Sequence, residues 1–113
     1  MGEFDKMNHQ KLVRDKIPQI IEKNGETPIY HILSDKEYKK ELDKKLVEEV
    51  KEYLKDDNSE ELADILEVIE SILKYKNISL EEFAKTKQKK KDSRGGFDKK
   101  IFLEKTIEKE REM

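Results

Sequence analysis

Five carboxylates stand close together between positions 48 and 64, with a spacing that suits a divalent cation. They are Glu48, Glu49, Glu52, Glu61 and Asp64. Glu49 and Glu52 are three residues apart, and so are Glu61 and Asp64, so in a helix each pair would share one face. Carboxylate oxygens with room for water are the ligands that Mg²⁺ and Mn²⁺ prefer. The spacing therefore points to a hard-metal site.

Apolar stripes at steps of three and four predict two helices that would carry these acids. The first stripe comprises Tyr38, Leu42, Leu46, Val50, Tyr53 and Leu54. The second comprises Leu62, Ile65, Leu66, Val68, Ile69, Ile72 and Leu73. Glu49 lies inside the first stripe, and Glu61 lies four residues before Ile65 in the second. An acid directed at a core is costly unless its charge is compensated, and a divalent cation is the simplest compensation for acids on two adjacent antiparallel helices.

Each acid also has a purely structural interpretation. Glu48 and Glu52 are compatible with solvated helix positions, and Glu61 with the third residue of a capping box begun by Asn58. Glu49 is harder to explain in this way because it interrupts an apolar stripe.

Helix start and stop signals predict an all-α, antiparallel helical bundle with short extended arms. We expect a first helix starting around residues 15–18 with Asp15 as N-cap, and a second from a capping box at Ser34 to about Lys55. A third would start after Asn58 or Ser59 and reach about Lys76, and a fourth would run from a capping box at Ser79 to about Asp92. The segments 27–33 and 97–107 read as arms or short strands because they are rich in β-branched and aromatic residues.

The composition indicates that a single copy of the chain has too little apolar material for a large core. The chain has 113 residues, of which 34% are hydrophobic and 46% charged, with a net charge of −2. We expect one domain at 7–107, completed as a homodimer or homotetramer, because little apolar material is available for a core. Residues 1–6 read as a non-native leader, and 108–113 as a frayed tail. Without cysteine, signal peptide or membrane span, we expect a cytoplasmic protein with no thiol chemistry and no membrane partner.

The charge changes sign along the chain. Residues 34–82 hold sixteen acids against nine lysines, whereas residues 85–100 hold eight basic residues against two acids. This contrast suits an anion that carries metal ions. Candidate phosphate-binding residues are Lys87, Lys90, Lys91 and Arg94, and less strongly Arg14 and Lys16. The alternative is that the lysines are solvated and favour a helix C-terminus.

The motif Glu48-Glu49-x-x-Glu52 followed by Glu61-x-x-Asp64 resembles the EExxE…ExxD signature of MazG-like, all-α nucleotide pyrophosphohydrolases, which include phosphoribosyl-ATP pyrophosphohydrolases. The stretches LVRDKIP and RGGF are similar to a subgroup of small bacterial and phage proteins of this type. Only eight residues separate Glu52 from Glu61, fewer than is common in the broader family. We expect this shorter link to reduce one wall of the substrate pocket.

The resemblance implies Mg²⁺-dependent hydrolysis, with Mn²⁺ as a substitute, of a nucleoside triphosphate to the monophosphate and pyrophosphate in a house-cleaning role. It implies Glu49, Glu52, Glu61 and Asp64 as metal ligands, with Glu48 orienting a ligand or helping to activate the water. Glu48, Glu49 and Glu52 form the expected catalytic set.

Three alternatives remain open. One is the phosphoribosyl-ATP reaction of histidine biosynthesis, and another is a non-catalytic regulatory bundle that binds nucleotides or nucleic acid. The third is a plain oligomeric interaction bundle. Net acidity and the lack of interleaved stacking aromatics argue against nucleic acid as a partner.

Overall fold

The computed structural model describes residues 10–110, and within that range it contains four helices and no strand. The helices are α1 (Ile17–Lys23), α2 (Asp35–Asp56), α3 (Ser59–Tyr75) and α4 (Leu80–Arg94). The all-α prediction is confirmed. The strand alternative for 27–33 and 97–107 is wrong: both segments lack regular secondary structure, and Ile29 and Phe97 are 96% and 97% exposed. The predicted leader at 1–6 lies outside the described residues.

Helix α1 begins without the predicted cap. Lys16 occupies the N-cap position, already has helical dihedral angles and makes no side-chain cap bond. Asp15 does not act as the cap, because the Ile17 N–H donates to the Arg14 carbonyl instead, at 3.0 Å. Pro18 has no N–H to offer. Both amides that Asp15 would cap are therefore unavailable, and a main-chain turn begins the helix.

Local capping interactions define the start of α2 and the turn between α2 and α3. Ser34 and Glu37 form the predicted capping box at the start of α2. Asp57 then adopts a left-handed conformation, with φ of 51°, and ends α2. The Asn58 side chain accepts a hydrogen bond from the Glu61 N–H at 3.1 Å and starts α3. Because only two residues link the helices, α3 turns back along α2.

Helices α2 and α3 form an antiparallel hairpin. The rings of Tyr38, near the start of α2, and Tyr75, at the end of α3, meet edge to face with centroids 6.1 Å apart. Leu42, Val68 and Leu73 are 2%, 7% and 6% exposed and form the buried core. The apolar stripes are only partly covered, because Val50, Leu54, Leu62 and Leu66 remain 38%, 73%, 49% and 52% exposed.

The chain divides into two compact units, one ending at Leu80 and the other beginning at Glu81. The first contains α1 and the hairpin. The second contains most of α4. Gly95 follows the last residue of this helix with a φ of +84°, and its N–H donates a 2.8 Å hydrogen bond to the Lys91 carbonyl, so Gly95 forms a left-handed cap. None of the helices in residues 10–110 has the length and apolar character needed to cross a membrane.

Candidate metal centre

Two sets of three carboxylates meet where α2 and α3 approach the connecting turn. Glu49, Glu61 and Asp64 form the first set, and Glu52, Asp56 and Glu61 form the second. Within each set, one oxygen from each residue lies within 4.8 Å of the others. Glu61 belongs to both sets, so the hairpin brings all four predicted metal ligands into one continuous cluster.

The helical register explains this convergence. Glu49, Glu52 and Asp56 follow one another at steps of three and four on α2, so they share a face. Asn58 caps α3 through the Glu61 N–H, which fixes the first turn that carries Glu61 and, three residues later, Asp64. The structural interpretation of Glu61 is thus partly correct, since it occupies the capped turn. Its carboxyl group nevertheless lies among other acids.

Electrostatic strain is concentrated on Glu61. Desolvation raises the pKa of Glu61 above its ordinary value, and the neighbouring charges of Asp56 and Asp64 raise it further. A hydrogen bond with Asp56 and the charge of Glu52 act in the same direction. A positive charge supplied to the cluster would oppose this upward shift.

Lysines compensate the α2 side of the cluster. Glu49 is 9% exposed, the only buried charged residue found in the described part of the chain. Its carboxylate lies 3.2 Å from the Lys45 Nζ, and the same ammonium lies 3.2 Å from Glu48. Lys11 approaches Glu48 at 3.6 Å. Glu48, predicted to assist catalysis, belongs to neither acid set and is held instead by these two lysines.

Arg14 compensates the α3 side. Its Nη2 donates a 2.6 Å hydrogen bond to Asp64 Oδ1, and its Nη1 lies 4.0 Å from Glu67 Oε1. Arg14 lies in the segment before α1, so this pair attaches that segment to α3. The sequence suggested Arg14 as a phosphate ligand, and the structure places it on one of the predicted metal ligands.

The other predicted phosphate-binding residues lie elsewhere on the chain. Lys16 is exposed at the start of α1. Four more lie exposed on α4 in the second unit: Lys87, Lys90, Lys91 and Arg94. Because α4 extends to Arg94, three of these (Lys87, Lys91 and Arg94) share one helical face.

Two residues of the site were missed by sequence reasoning. Asp56 lies four residues after Glu52, and Lys45 lies four residues before Glu49, so helical spacing alone could have found both. Asp56 extends the acid cluster toward the turn. Lys45 supplies the charge that makes a buried Glu49 tolerable.

The donor set fits a hard divalent cation. Each set offers carboxylate oxygens from both helices, and Glu52 and Asp56 are exposed, which leaves space for coordinated water. Such oxygen-only ligands favour Mg²⁺ or Mn²⁺ over metals that prefer nitrogen or sulfur. A neighbouring cleft of about 330 Å³ lies between residues 10–12 and α2, where Lys44, Lys45 and Glu48 line it.

Comparison with known proteins assigns no family. No family model matches the chain, and no solved structure matches it. An uncharacterized protein of Mycolicibacterium smegmatis is 55% identical over 42 residues, which cover 37% of this chain and 43% of that protein. The chain thus spans less than half the length of this relative. Any inference about function must therefore come from the residues of the site.

Proposed function

We propose that the protein is a Mg²⁺-dependent nucleotide pyrophosphohydrolase that converts a nucleoside triphosphate to the monophosphate and pyrophosphate. The observation that carries the proposal is the pair of acid sets sharing Glu61, which joins Glu49, Glu52, Glu61 and Asp64 in one cluster. These are the positions that the resemblance to MazG-like enzymes implies as metal ligands. A house-cleaning role in the cytoplasm is part of this proposal.

The carboxylates of the cluster would hold Mg²⁺ or Mn²⁺. When bound, the metal supplies charge neutralisation for the phosphates and lowers the pKa of a coordinated water. Hydrolysis breaks the anhydride bond between the α- and β-phosphates and adds the elements of water across it. Glu48 lies one residue from Glu49 and is held by Lys45 and Lys11. In this proposal it would orient a ligand or accept a proton from the water.

Basic residues would bind the phosphates of the substrate. Lys11, Lys44 and Lys45 surround the cleft beside Glu48, which adds local candidates in the first unit. In the second unit, the face of α4 that carries Lys87, Lys91 and Arg94 provides three exposed cations at helical spacing and is a separate candidate surface for phosphate. Contacts from these side chains to phosphate oxygens do not discriminate between bases.

We further propose that the hairpin associates with other copies as a homodimer or homotetramer. Val47, Val50 and Leu54 on α2 are 54%, 38% and 73% exposed, and Leu62 and Leu66 on α3 are about half exposed. Contiguous exposed apolar patches mark protein–protein interaction sites or ligand-binding grooves. Light scattering after gel filtration should give a mass of two or four chains, and Leu54→Lys should reduce it.

A nucleotide panel tests the activity. The protein is incubated with Mg²⁺ and each canonical or modified nucleoside triphosphate, and pyrophosphate is measured separately from orthophosphate. Pyrophosphate release that requires Mg²⁺ and is lost in Glu49→Gln supports the proposal. Release of orthophosphate alone, or turnover that persists in Glu49→Gln, overturns it.

The resemblance also favours a second candidate, the hydrolysis of phosphoribosyl-ATP. Including that nucleotide in the same panel separates the two substrates. A non-catalytic bundle would instead bind nucleotides or nucleic acid without any turnover, and its affinity would depend on salt but not on metal.

A further inference from the structure

We propose that Arg14 is an exchangeable counter-ion: it neutralises Asp64 in the metal-free protein and is displaced from that carboxylate when the metal binds. The inference rests on the proposed function, because it concerns how the same acid cluster takes up its metal. It adds a determinant of metal affinity that lies outside the acid motif. It also gives the segment before α1 a role in the site.

The contact geometry places Arg14 in direct competition with a metal ion. Its Nη2 lies 2.6 Å from Asp64 Oδ1, which is a short charge-assisted hydrogen bond. Asp64 belongs to the acid set with Glu49 and Glu61. A cation that draws on all three residues must approach a carboxylate that already holds a guanidinium, and the two positive charges repel each other.

Partial exposure keeps this competition reversible. The Arg14 side chain is 55% exposed and that of Asp64 is 38% exposed. Water can therefore take over the hydrogen bonds that Arg14 gives up, and a pair of this kind contributes modestly to stability. The long side chain can move away while the backbone turn at Arg14, whose carbonyl accepts from the Ile17 N–H, stays in place.

Lys45 is a different kind of counter-ion. Its side chain and that of Glu49 are only 15% and 11% exposed, and it bridges Glu49 and Glu48 from the same helix. Displacing it would leave a mostly buried ammonium with less compensation. The exposed Arg14 is the cation that can leave at low cost, and once released its guanidinium is free to pair with phosphate.

A positioning role for Arg14 would change the metal affinity in the opposite direction. If Arg14 instead fixed Asp64 in the orientation that a metal requires, its removal would weaken metal binding, typically 10- to 100-fold. Removing a competing ion pair of ordinary surface strength would tighten binding by about two- to fivefold. The sign of the change in affinity therefore decides between the two roles.

Calorimetric titration with Mn²⁺ alone, at low ionic strength, measures that sign. The set comprises wild type, Arg14→Gln, Arg14→Lys and the charge-matched control Lys40→Gln on the exposed early part of α2, more than two helical turns from Glu49. We expect Arg14→Gln to bind about two- to fivefold more tightly than both wild type and Lys40→Gln. Arg14→Lys retains the charge and should stay closer to wild type.

A spectroscopic measurement follows the displacement itself. The chain has three arginines, Arg14, Arg94 and Arg111, so the Nε–H signals in an NMR spectrum are few and the Arg14 signal is identified by its loss in Arg14→Lys. We expect Mg²⁺ to shift that signal in wild type, and the shift should saturate with the affinity that a separate calorimetric titration with Mg²⁺ gives. A signal that does not move contradicts the exchange.

The possible outcomes distinguish a failure of this inference from a failure of the proposed function. Wild type that binds Mn²⁺, with Arg14→Gln unchanged or weaker, overturns the counter-ion exchange and leaves the proposed metal site standing. Wild type that binds no Mn²⁺ overturns the metal site, and the exchange with it. Tighter binding in Lys40→Gln as well as Arg14→Gln would show a general charge effect and likewise overturn the specific role of Arg14.

Discussion

Replacing Glu49 with glutamine removes the one buried carboxylate of the cluster while keeping the size of the side chain. If the cluster binds Mg²⁺, wild type should melt at a higher temperature with Mg²⁺ than without it. A ligand present at a hundred times its Kd stabilises the folded state by about 2.7 kcal/mol. For a domain of 60–100 residues that corresponds to a rise of roughly 10–20 °C.

The variant should lose almost all of this rise. Glu49 is one of three residues in the first acid set, so its loss leaves Glu61 and Asp64 alone to hold the ion there. If the Kd weakens a hundredfold, the same Mg²⁺ concentration equals the new Kd, and the stabilisation falls to about 0.4 kcal/mol. The melting temperature would then rise by only about 2–3 °C.

Without metal, two effects of the substitution oppose each other. The Glu49→Gln variant would lose the 3.2 Å ion pair with Lys45, which is mostly buried, although Lys45 keeps its contact with Glu48. The same change would relieve repulsion from Glu61 and Asp64. Because the two effects oppose each other, we expect the difference in the free energy of unfolding to stay within about 1 kcal/mol, below the roughly 3–5 kcal/mol typical of breaking a buried pair.

Differential scanning fluorimetry with and without Mg²⁺ measures both quantities. Glu60→Gln is the matched control, because Glu60 is exposed on α3 and belongs to neither acid set. Sodium chloride at equal ionic strength controls for screening. A full Mg²⁺ response in Glu49→Gln, or an equal response of wild type to sodium chloride, would refute the metal site.

Three further predictions concern stability. Leu42 is 2% exposed, so Leu42→Ala should lower the free energy of unfolding by about 2–5 kcal/mol in urea titrations, and a loss below about 1 kcal/mol would contradict its place in the core. The raised pKa of Glu61 means that the folded state binds a proton on this carboxyl group more tightly than the unfolded state does. The stability of the metal-free protein should therefore fall as pH rises from the ordinary glutamate pKa through the raised one. In EDTA, the melting temperature of Glu61→Gln should lack this decrease with pH. Hydrogen bonds from Ser34 lower the pKa of Glu37, so their contribution to stability is lost as pH falls through the lowered pKa. At neutral pH, Ser34→Ala should lower the free energy of unfolding by about 1 kcal/mol in urea titrations.

Local signals predicted the helices well because their causes are local. The capping box at Ser34 and the cap at Asn58 each join residues three positions apart, so the sequence alone contains the whole interaction. Asp15 failed as a cap for a reason that is also local, since Pro18 lacks the amide and the Arg14 carbonyl takes the Ile17 N–H. That competition depends on the turn geometry, which residue types did not specify.

The candidate site was predictable only in part. Acids at steps of three and four on two helices could be placed on facing surfaces, and Glu49 stood out because it interrupts an apolar stripe. The contact between Arg14 and Asp64 joins residues fifty positions apart, so no spacing rule could indicate it. The exposure of Leu54 was missed for a related reason: periodicity identifies an apolar face but not whether the same chain covers it.

The two ends of the α2–α3 hairpin are stabilised by different forces. The end far from the turn is closed by apolar packing, with Leu42 and Leu73 buried and the rings of Tyr38 and Tyr75 in contact. The end near the turn holds the acid cluster, which depends on Lys45 and Arg14 for compensation. Apolar packing does not respond to cations, whereas repulsion among carboxylates does. Metal binding should therefore slow amide hydrogen exchange near the turn, in residues 49–64, more than in residues 38–42, and uniform slowing along α2 would contradict this division of the hairpin.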